Sequence, residues 1–202
     1  IIFGNDVNKE IGPMFKRLYP NMKAIVVADD NTWGAVGEEV VKSLEEAGVE
    51  FADEPYIFPG TPTLYGDYVN TEKLREAIRP YENTIMVSLG AGTLNDIAKL
   101  ASGELGREYI NVCTAASVDG FASFGASISK DGFKITRSCP APAALIMDVP
   151  TMVEAPYRLT ATGYGDLIEK IPAGADWILA DELGIEPIDE YVWSLVQGTL
   201  ME

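Results

Sequence analysis

Thr84-Ile85-Met86-Val87-Ser88-Leu89-Gly90-Ala91-Gly92-Thr93-Leu94-Asn95-Asp96-Ile97-Ala98-Lys99 decides the fold. The stretch opens with a short apolar run of β-formers, the pattern of a buried strand. It breaks at Gly90 and Gly92, then resumes with helical apolar spacing at Leu94, Ile97, Ala98 and Ala101. A glycine-rich turn between strand and helix brings bare backbone N–H groups close to a ligand. The helix N-terminus behind it carries a partial positive charge suited to a phosphate or pyrophosphate. Thr93 is the expected N-cap. Glycines in such a turn also serve structure alone, so the flanking chain has to decide.

On the N-terminal side, Lys23 to Ala28 is an apolar strand that ends in an acidic turn, Asp29-Asp30-Asn31-Thr32. Trp33 to Ala47 follows as an amphipathic helix closed by Gly48. A shorter helix, Ile11 to Tyr19, precedes the strand and stops at Pro20. A second strand lies within Val49 to Phe58, then a Pro59-Gly60-Thr61-Pro62 loop and a helix over Thr71 to Ile78. On the C-terminal side, Tyr109 to Cys113 is another strand. Alternating strands and helices predict an α/β fold, a Rossmann-like parallel sheet wound by right-handed crossovers. Ligands on such sheets sit at the carboxyl ends of the strands. Three polar or glycine-rich loops leave those ends: 29–31, 90–93 and 114–120. Asp29 is placed either to accept hydrogen bonds from a ribose diol, disfavouring a 2′-phosphate, or to act as the acid of a helix N-terminus.

Ala126 to Thr136 predicts a hairpin around Lys130-Asp131-Gly132, and Ala144 to Asp148 a further strand. From Pro150 the texture is helical, over Tyr157 to Ala180 and Asp189 to Leu200, with Gly163, Gly165, Pro172 and Gly174 as interruptions. The expected division is a dinucleotide-binding α/β domain over 1–150 and the beginning of an all-α metal- and substrate-binding domain over 151–202. About 50 residues of helix is too little for an independent core, so the chain is expected to be incomplete. Trp33, Trp177 and Trp193 fall at helical apolar positions and are expected in the core.

The 202 residues carry a net charge of −16 and a pI near 4.3. Nucleic acid requires a basic footprint, so it is excluded as a partner, as is an anionic membrane surface. No apolar run approaches the roughly 18 residues of a spanning helix, and no signal-peptide pattern is visible. The lack of a starting Met predicts a trimmed N-terminus. Cys113 and Cys139 have neither a Cys-x-x-Cys nor a zinc spacing and are expected as packing residues in a reducing, cytoplasmic compartment. There is no histidine, so neither an imidazole base nor an imidazole ligand is available.

Three clusters follow in order: Gly90-Ala91-Gly92-Thr93-Leu94-Asn95-Asp96, then Thr114-Ala115-Ala116-Ser117-Val118-Asp119-Gly120-Phe121-Ala122-Ser123, then Thr162-Gly163-Tyr164-Gly165-Asp166-Leu167-Ile168-Glu169-Lys170. With Ala175-Asp176-Trp177 beyond them, the series resembles the metal-dependent polyol dehydrogenases of the glycerol dehydrogenase and dehydroquinate synthase superfamily. Within it the chain resembles the sn-glycerol-1-phosphate dehydrogenases.

The resemblance implies that Gly90, Gly92, Thr93 and Asp96 hold the pyrophosphate and nicotinamide side of NAD or NADP. It implies that Asp29 meets the adenosine ribose, that Thr114 and Ser117 run under the cofactor, and that Ser123 makes a later contact. Asp119 is implied as the substrate-binding aspartate and Asp166 as the first metal ligand. Lys170, one helical turn beyond Asp166, either balances that charge or meets a substrate phosphate. On residues alone, an Asp placed like Asp166 is more often a cap or a solvated acid than a ligand, and Asp119-Gly120 reads equally as a turn.

One divalent metal is implied, zinc first and iron or nickel as alternatives, acting as a Lewis acid on a carbonyl. The family completes that site with two histidines that this chain lacks. The implied reaction is reversible reduction of dihydroxyacetone phosphate to sn-glycerol 1-phosphate by a homo-oligomeric enzyme acting on a small phosphorylated triose or polyol. The 202 residues alone are expected not to turn over. The alternatives are glycerol dehydrogenase chemistry on the free polyol, a dehydroquinate synthase-like lyase, and a nucleotide-binding module without catalysis.

Overall fold

The computed structural model describes residues 1–198 and residue 200. The decisive stretch folds as expected, into β4 (Thr84–Leu89) and α5 (Gly92–Glu104). All six residues of β4 and all five of β5 (Tyr109–Cys113) are buried. Strands covered on both faces need no polar alternation, which is why they read as unbroken apolar runs.

Around them a six-stranded sheet has the order β1 (Ile2–Gly4), β8 (Ala144–Asp148), β5, β4, β2 (Lys23–Asp29), β3 (Tyr56–Phe58). Every pairing in it is parallel. The edge strand β1 was not foreseen, because three residues are too few to show a period.

The sheet is covered on both faces. On one, Ile11 and Phe15 of α1 (Ile11–Leu18) and Val40 and Leu44 of α3 (Glu38–Glu46) pack on Ala24, Val26, Val87 and Ile110. On the other, Leu74 and Ile78 of α4 (Tyr68–Ile78) and Ile97 and Ala101 of α5 pack on Ile25, Val27, Met86 and Tyr109. Successive β2 residues thus serve opposite layers, as the two-residue period of a strand requires. The hairpin β6 (Ala126–Lys130) and β7 (Phe133–Arg137) is antiparallel and separate from the main sheet. Its central residues Asp131 and Gly132 have φ of 54° and 82°, the positive pair that a type I′ turn demands.

Four local expectations are corrected. The segment 29–32 is not a turn: Asp29 is the N-cap of α2 (Asp30–Thr32), which runs through a π-helical segment (Trp33–Gly37) into α3. Asp-x-x-Thr is turn chemistry and capping-box chemistry alike. Thr93 is not the N-cap of α5; Ala91 holds that position with extended backbone and no side-chain cap. The long helix after α6 (Val149–Glu154) splits into α7 (Tyr157–Ile168) and α8 (Lys170–Glu182), with Gly163, Gly165 and Gly174 all inside helices. Pro172 supplies the break: it has no N–H for the Ile168 carbonyl and its ring crowds that oxygen. Trp177 and Trp193 are half-buried and pair with each other, 5.8 Å between rings, joining α8 to α9 (Glu190–Gln197) outside the core. The expected end of α9 at Leu200 passes through Thr199, outside the described residues.

Candidate dinucleotide site

The carboxyl ends of β2, β4, β5 and β8 open into one cavity of about 650 Å³, within the roughly 300–1,000 Å³ range of small-molecule and cofactor sites. Its floor comes from Ala91, Gly92 and Thr93 after β4 and from Thr114, Ala115, Ser117 and Val118 after β5. Asp29, Asn31 and Thr32 bound it on the β2 side, with Gly60, Thr63 and Leu64 from the following loop. Thr151, Glu154, Arg158 and Thr162 bound it on the β8 side.

The first N–H groups of α5 have no intrahelical partner and no side-chain cap. They face the cavity floor, where the helix dipole favours an anion. A Cβ on Gly92 would stand 3.0 Å from Val118 Cγ1, so the turn approaches the β5 loop as closely as a bare backbone allows. Gly90 serves the sheet instead: its N–H donates to the Val112 carbonyl at 2.9 Å and its carbonyl accepts from Asn111 Nδ2 at 3.3 Å.

Asp29 is the acid of a helix N-terminus, and it also lines the cavity. Its Oδ1 accepts from the N–H groups of Asn31 and Thr32 at 2.8 and 2.9 Å, while Thr32 Oγ1 accepts from the Asp29 N–H at 3.0 Å. This capping box leaves Oδ2 without a hydrogen-bond partner among the described residues, on the wall of the cavity. Asp30 Oδ2 accepts from the Gly60 N–H at 2.8 Å and so ties the 59–64 loop over the cavity mouth.

The loop from 114 to 125 is fixed from beneath by α5. The Lys99 side chain is fully buried, and its Nζ donates to the carbonyls of Gly120, Ser123 and Gly125 at 3.4, 3.0 and 3.1 Å. Asn95, one turn earlier, donates to the Phe121 carbonyl at 3.2 Å and accepts from the Tyr109 hydroxyl at 2.7 Å. Burial pulls the Lys99 pKa below the ordinary lysine value, with Asp96 opposing. Burial likewise lifts the Asp96 carboxyl above the usual range, against the pull of Lys99. Asp96 Oδ2 accepts from the Ser127 N–H at 3.1 Å and thereby holds the hairpin. Ser123 bonds its own loop, Oγ to the Gly120 carbonyl at 2.7 Å.

Sequence reasoning missed Lys99 and Asn95, although a signal existed. Leu94, Ile97, Ala98, Leu100 and Ala101 are apolar on most sides of α5, the mark of an enclosed helix, so polar residues at 95 and 99 had to be buried and partnered.

Asp119, Asp166 and Lys170 meet at the outer end of this loop. Asp166 Oδ2 accepts from the Asp119 N–H at 2.9 Å, and Lys170 Nζ stands 3.0 Å from Asp119 Oδ2. Partial burial disfavours the Lys170 ammonium, but the Asp119 hydrogen bond and the charges of Asp119, Asp166 and Glu169 outweigh it, and its pKa ends above the ordinary value. The pairing depends on Gly163: a Cβ there would lie 2.0 Å from the Ala116 carbonyl oxygen, so α7 rests directly on the loop.

The structure therefore brings Asp29, Gly92, Thr93, Thr114 and Ser117 together on one cavity. It places Asp119, Asp166 and Lys170 in an adjoining cluster, and Gly90, Asp96 and Ser123 in the framework around it. Among the described residues no group of three or more His, Cys, Asp or Glu side chains gathers, so these residues by themselves make no complete metal site. Asp119 and Asp166 supply carboxylates only, and an ammonium already neutralises Asp119. No described helix is long and apolar enough to cross a membrane.

The chain is 33% identical over 175 residues to a glycerol-1-phosphate dehydrogenase (NAD(P)+) of Halalkalibacterium halodurans, covering 87% of this chain and 44% of that one. It is 34% identical over 195 residues to a protein of the same name from Methanosarcina mazei, covering 96% and 53%. The chain thus spans about half the length of the curated relatives it matches. Its backbone is similar to glycerol dehydrogenase from Schizosaccharomyces pombe, with a TM-score of 0.67 at 22% identity, covering 84% of this chain and 42% of that one. The iron-containing alcohol dehydrogenase family matches residues 2–156, and the chain belongs to that family.

Proposed function

We propose that this chain is the dinucleotide-binding part, with one side of the substrate pocket, of an NAD(P)-dependent polyol-phosphate dehydrogenase that interconverts dihydroxyacetone phosphate and sn-glycerol 1-phosphate. The observation that carries the proposal is the cavity across the ends of β2, β4, β5 and β8, with the uncapped α5 N-terminus at its floor. The names of the relatives supply the substrate. A bound nicotinamide dinucleotide supplies the hydride. The N–H groups of Gly92 and Thr93 hold the pyrophosphate, and Asp29 Oδ2 accepts from the adenosine ribose. Thr114 and Ser117 support the nicotinamide end, and Asp119, set by Asp166 and Lys170, orients a substrate hydroxyl.

Gly90, Asp96 and Ser123 act by shaping the loops that touch ligand. The boundary between the sheet domain and the helices falls near Pro150. The described donors make no complete site for zinc, iron or nickel.

The test is titration with NADH followed by fluorescence, then addition of dihydroxyacetone phosphate or dihydroxyacetone to the saturated protein. Saturable NADH binding, a second response to the phosphorylated ketone and no turnover are expected. Absence of NADH binding overturns the proposal. A response to dihydroxyacetone alone moves the reading to glycerol dehydrogenase chemistry, the function in the name of the S. pombe neighbour.

A further inference from the structure

We infer that Arg158 is the phosphate-binding cation of this cavity; the inference rests on the function proposed above and names the group that recognises the ligand's anionic part. Three charged residues line the cavity, Asp29, Glu154 and Arg158, so Arg158 is the one cation among the described lining residues. Arg158 is exposed and makes no ion pair or side-chain hydrogen bond among the described residues, Glu154 included. In a chain of net charge −16, an unpaired cation facing a cavity is the residue that makes an anion welcome there. The alternative cation, Lys170, stands 3.0 Å from Asp119 and 3.5 Å from Glu169. Its charge is already answered by carboxylates, and it does not line the cavity.

Arg158 also sits where a phosphate would be. It lies in the first turn of α7 (Tyr157–Ile168) and lines the same cavity as the α5 N-terminus and the β5 loop. Gly163, five residues on, seats α7 on Ala116 and so fixes the helix that presents Arg158. A planar guanidinium matches two phosphate oxygens at once, which an ammonium does not. Two phosphate sources fit this chemistry, the pyrophosphate of the dinucleotide and the ester of a phosphorylated triose. Asp29 is three strands away in the sheet order, at roughly 4.8 Å per strand, so a 2′-phosphate on the ribose at Asp29 would lie at the other end of the cavity.

The experiment compares wild type, Arg158→Ala and Arg158→Lys in four titrations: inorganic pyrophosphate, NADH, dihydroxyacetone phosphate on the NADH-saturated protein, and adenosine as the phosphate-free control. Arg158→Ala is expected to weaken pyrophosphate by about tenfold or more, the scale of a lost charge-assisted hydrogen bond. Arg158→Lys is expected to fall between, and adenosine to change by less than about twofold. An accompanying loss in the NADH arm assigns Arg158 to the dinucleotide; a loss confined to dihydroxyacetone phosphate assigns it to the substrate ester. Equal affinities of wild type and Arg158→Ala for every phosphate ligand overturn the inference, as does wild type that binds none of the phosphate ligands. Arginine-dependent pyrophosphate binding without NADH binding would leave the inference standing and remove the dehydrogenase reading.

Discussion

Two glycines two residues apart on α7 have opposite roles. At Gly163 a Cβ would lie 2.0 Å from the Ala116 oxygen, whereas at Gly165 nothing stands within 4 Å. Gly163→Ala must push α7 off the loop, a backbone displacement costing about 2 kcal/mol or more, and it should loosen the bond from the Asp119 N–H to Asp166. Gly165→Ala should instead stabilise by about 0.5–1 kcal/mol, because alanine surrenders less conformational freedom in a helix. Urea unfolding of the two variants checks the sign of each. Equal effects would mean that α7 does not rest on the loop.

Cys113 gives a pH-dependent test. It is buried and free, and burial pushes its thiol up to about 12. The unfolded thiol releases its proton from near pH 9 upward while the folded one keeps it. The folded state then binds more protons, and stability falls as pH rises, approaching about 1.4 kcal/mol per unit within that window. Below pH 9 the contribution is fully present. The urea midpoint of wild type should therefore drop more steeply between pH 9 and 10.5 than that of Cys113→Ala; parallel pH profiles would refute it.

At the scale of elements, the capping box at α2 combines two roles that one substitution can separate. Asparagine caps as well as aspartate does, and alanine does not. Asp29→Asn should keep the stability of α2 and alter the affinity for NADH. Asp29→Ala should alter that affinity and also cost about 1 kcal/mol in urea unfolding. If Asp29→Asn binds NADH as wild type does, Asp29 is a cap alone.

This duality shows where the sequence was readable. β2, β4, β5 and β8 announced themselves because burial on both faces forces continuous apolar runs, and Asp-Gly announced the hairpin turn. What was not readable was decided by tertiary contact. The same Asp29 to Thr32 letters encode a turn or a helix start, and the packing of α2 on the sheet chose the helix. Gly90, Gly92 and Thr93 were visible as a unit. Their division into sheet extension, ligand turn and first helical turn was set by Asn111 and Val118, which lie on other elements. Asp119 and Asp166 are 47 residues apart, and their hydrogen bond follows from Gly163 rather than from any local pattern. Lys99 holds three carbonyls of a loop more than 20 residues away, a role that helical spacing alone assigned to no one.

Across the whole molecule, burial is distributed unevenly, and the cavity lies where it changes. The sheet and the helices on its faces hold the clusters of fully buried side chains. By contrast α7 and α9 contain no buried residue and α8 only Gly174, leaving Tyr157, Leu167, Leu179, Tyr191 and Leu195 at least half exposed. Local stability follows buried apolar contact, so the two parts should open separately. Amide hydrogen exchange is expected to be slowest in β4 and β5, near the limit set by global unfolding, and fastest in α8 and α9. The ligand should change this pattern selectively, because residues 151–162 line the cavity with 91–94 and 114–118. NADH is expected to slow exchange in those three segments and to leave α9 unchanged. Protection in α9 equal to that in β4 without ligand would show that the helices share the stability of the sheet. Protection confined to the sheet loops with NADH present would show that α7 closes no part of the site.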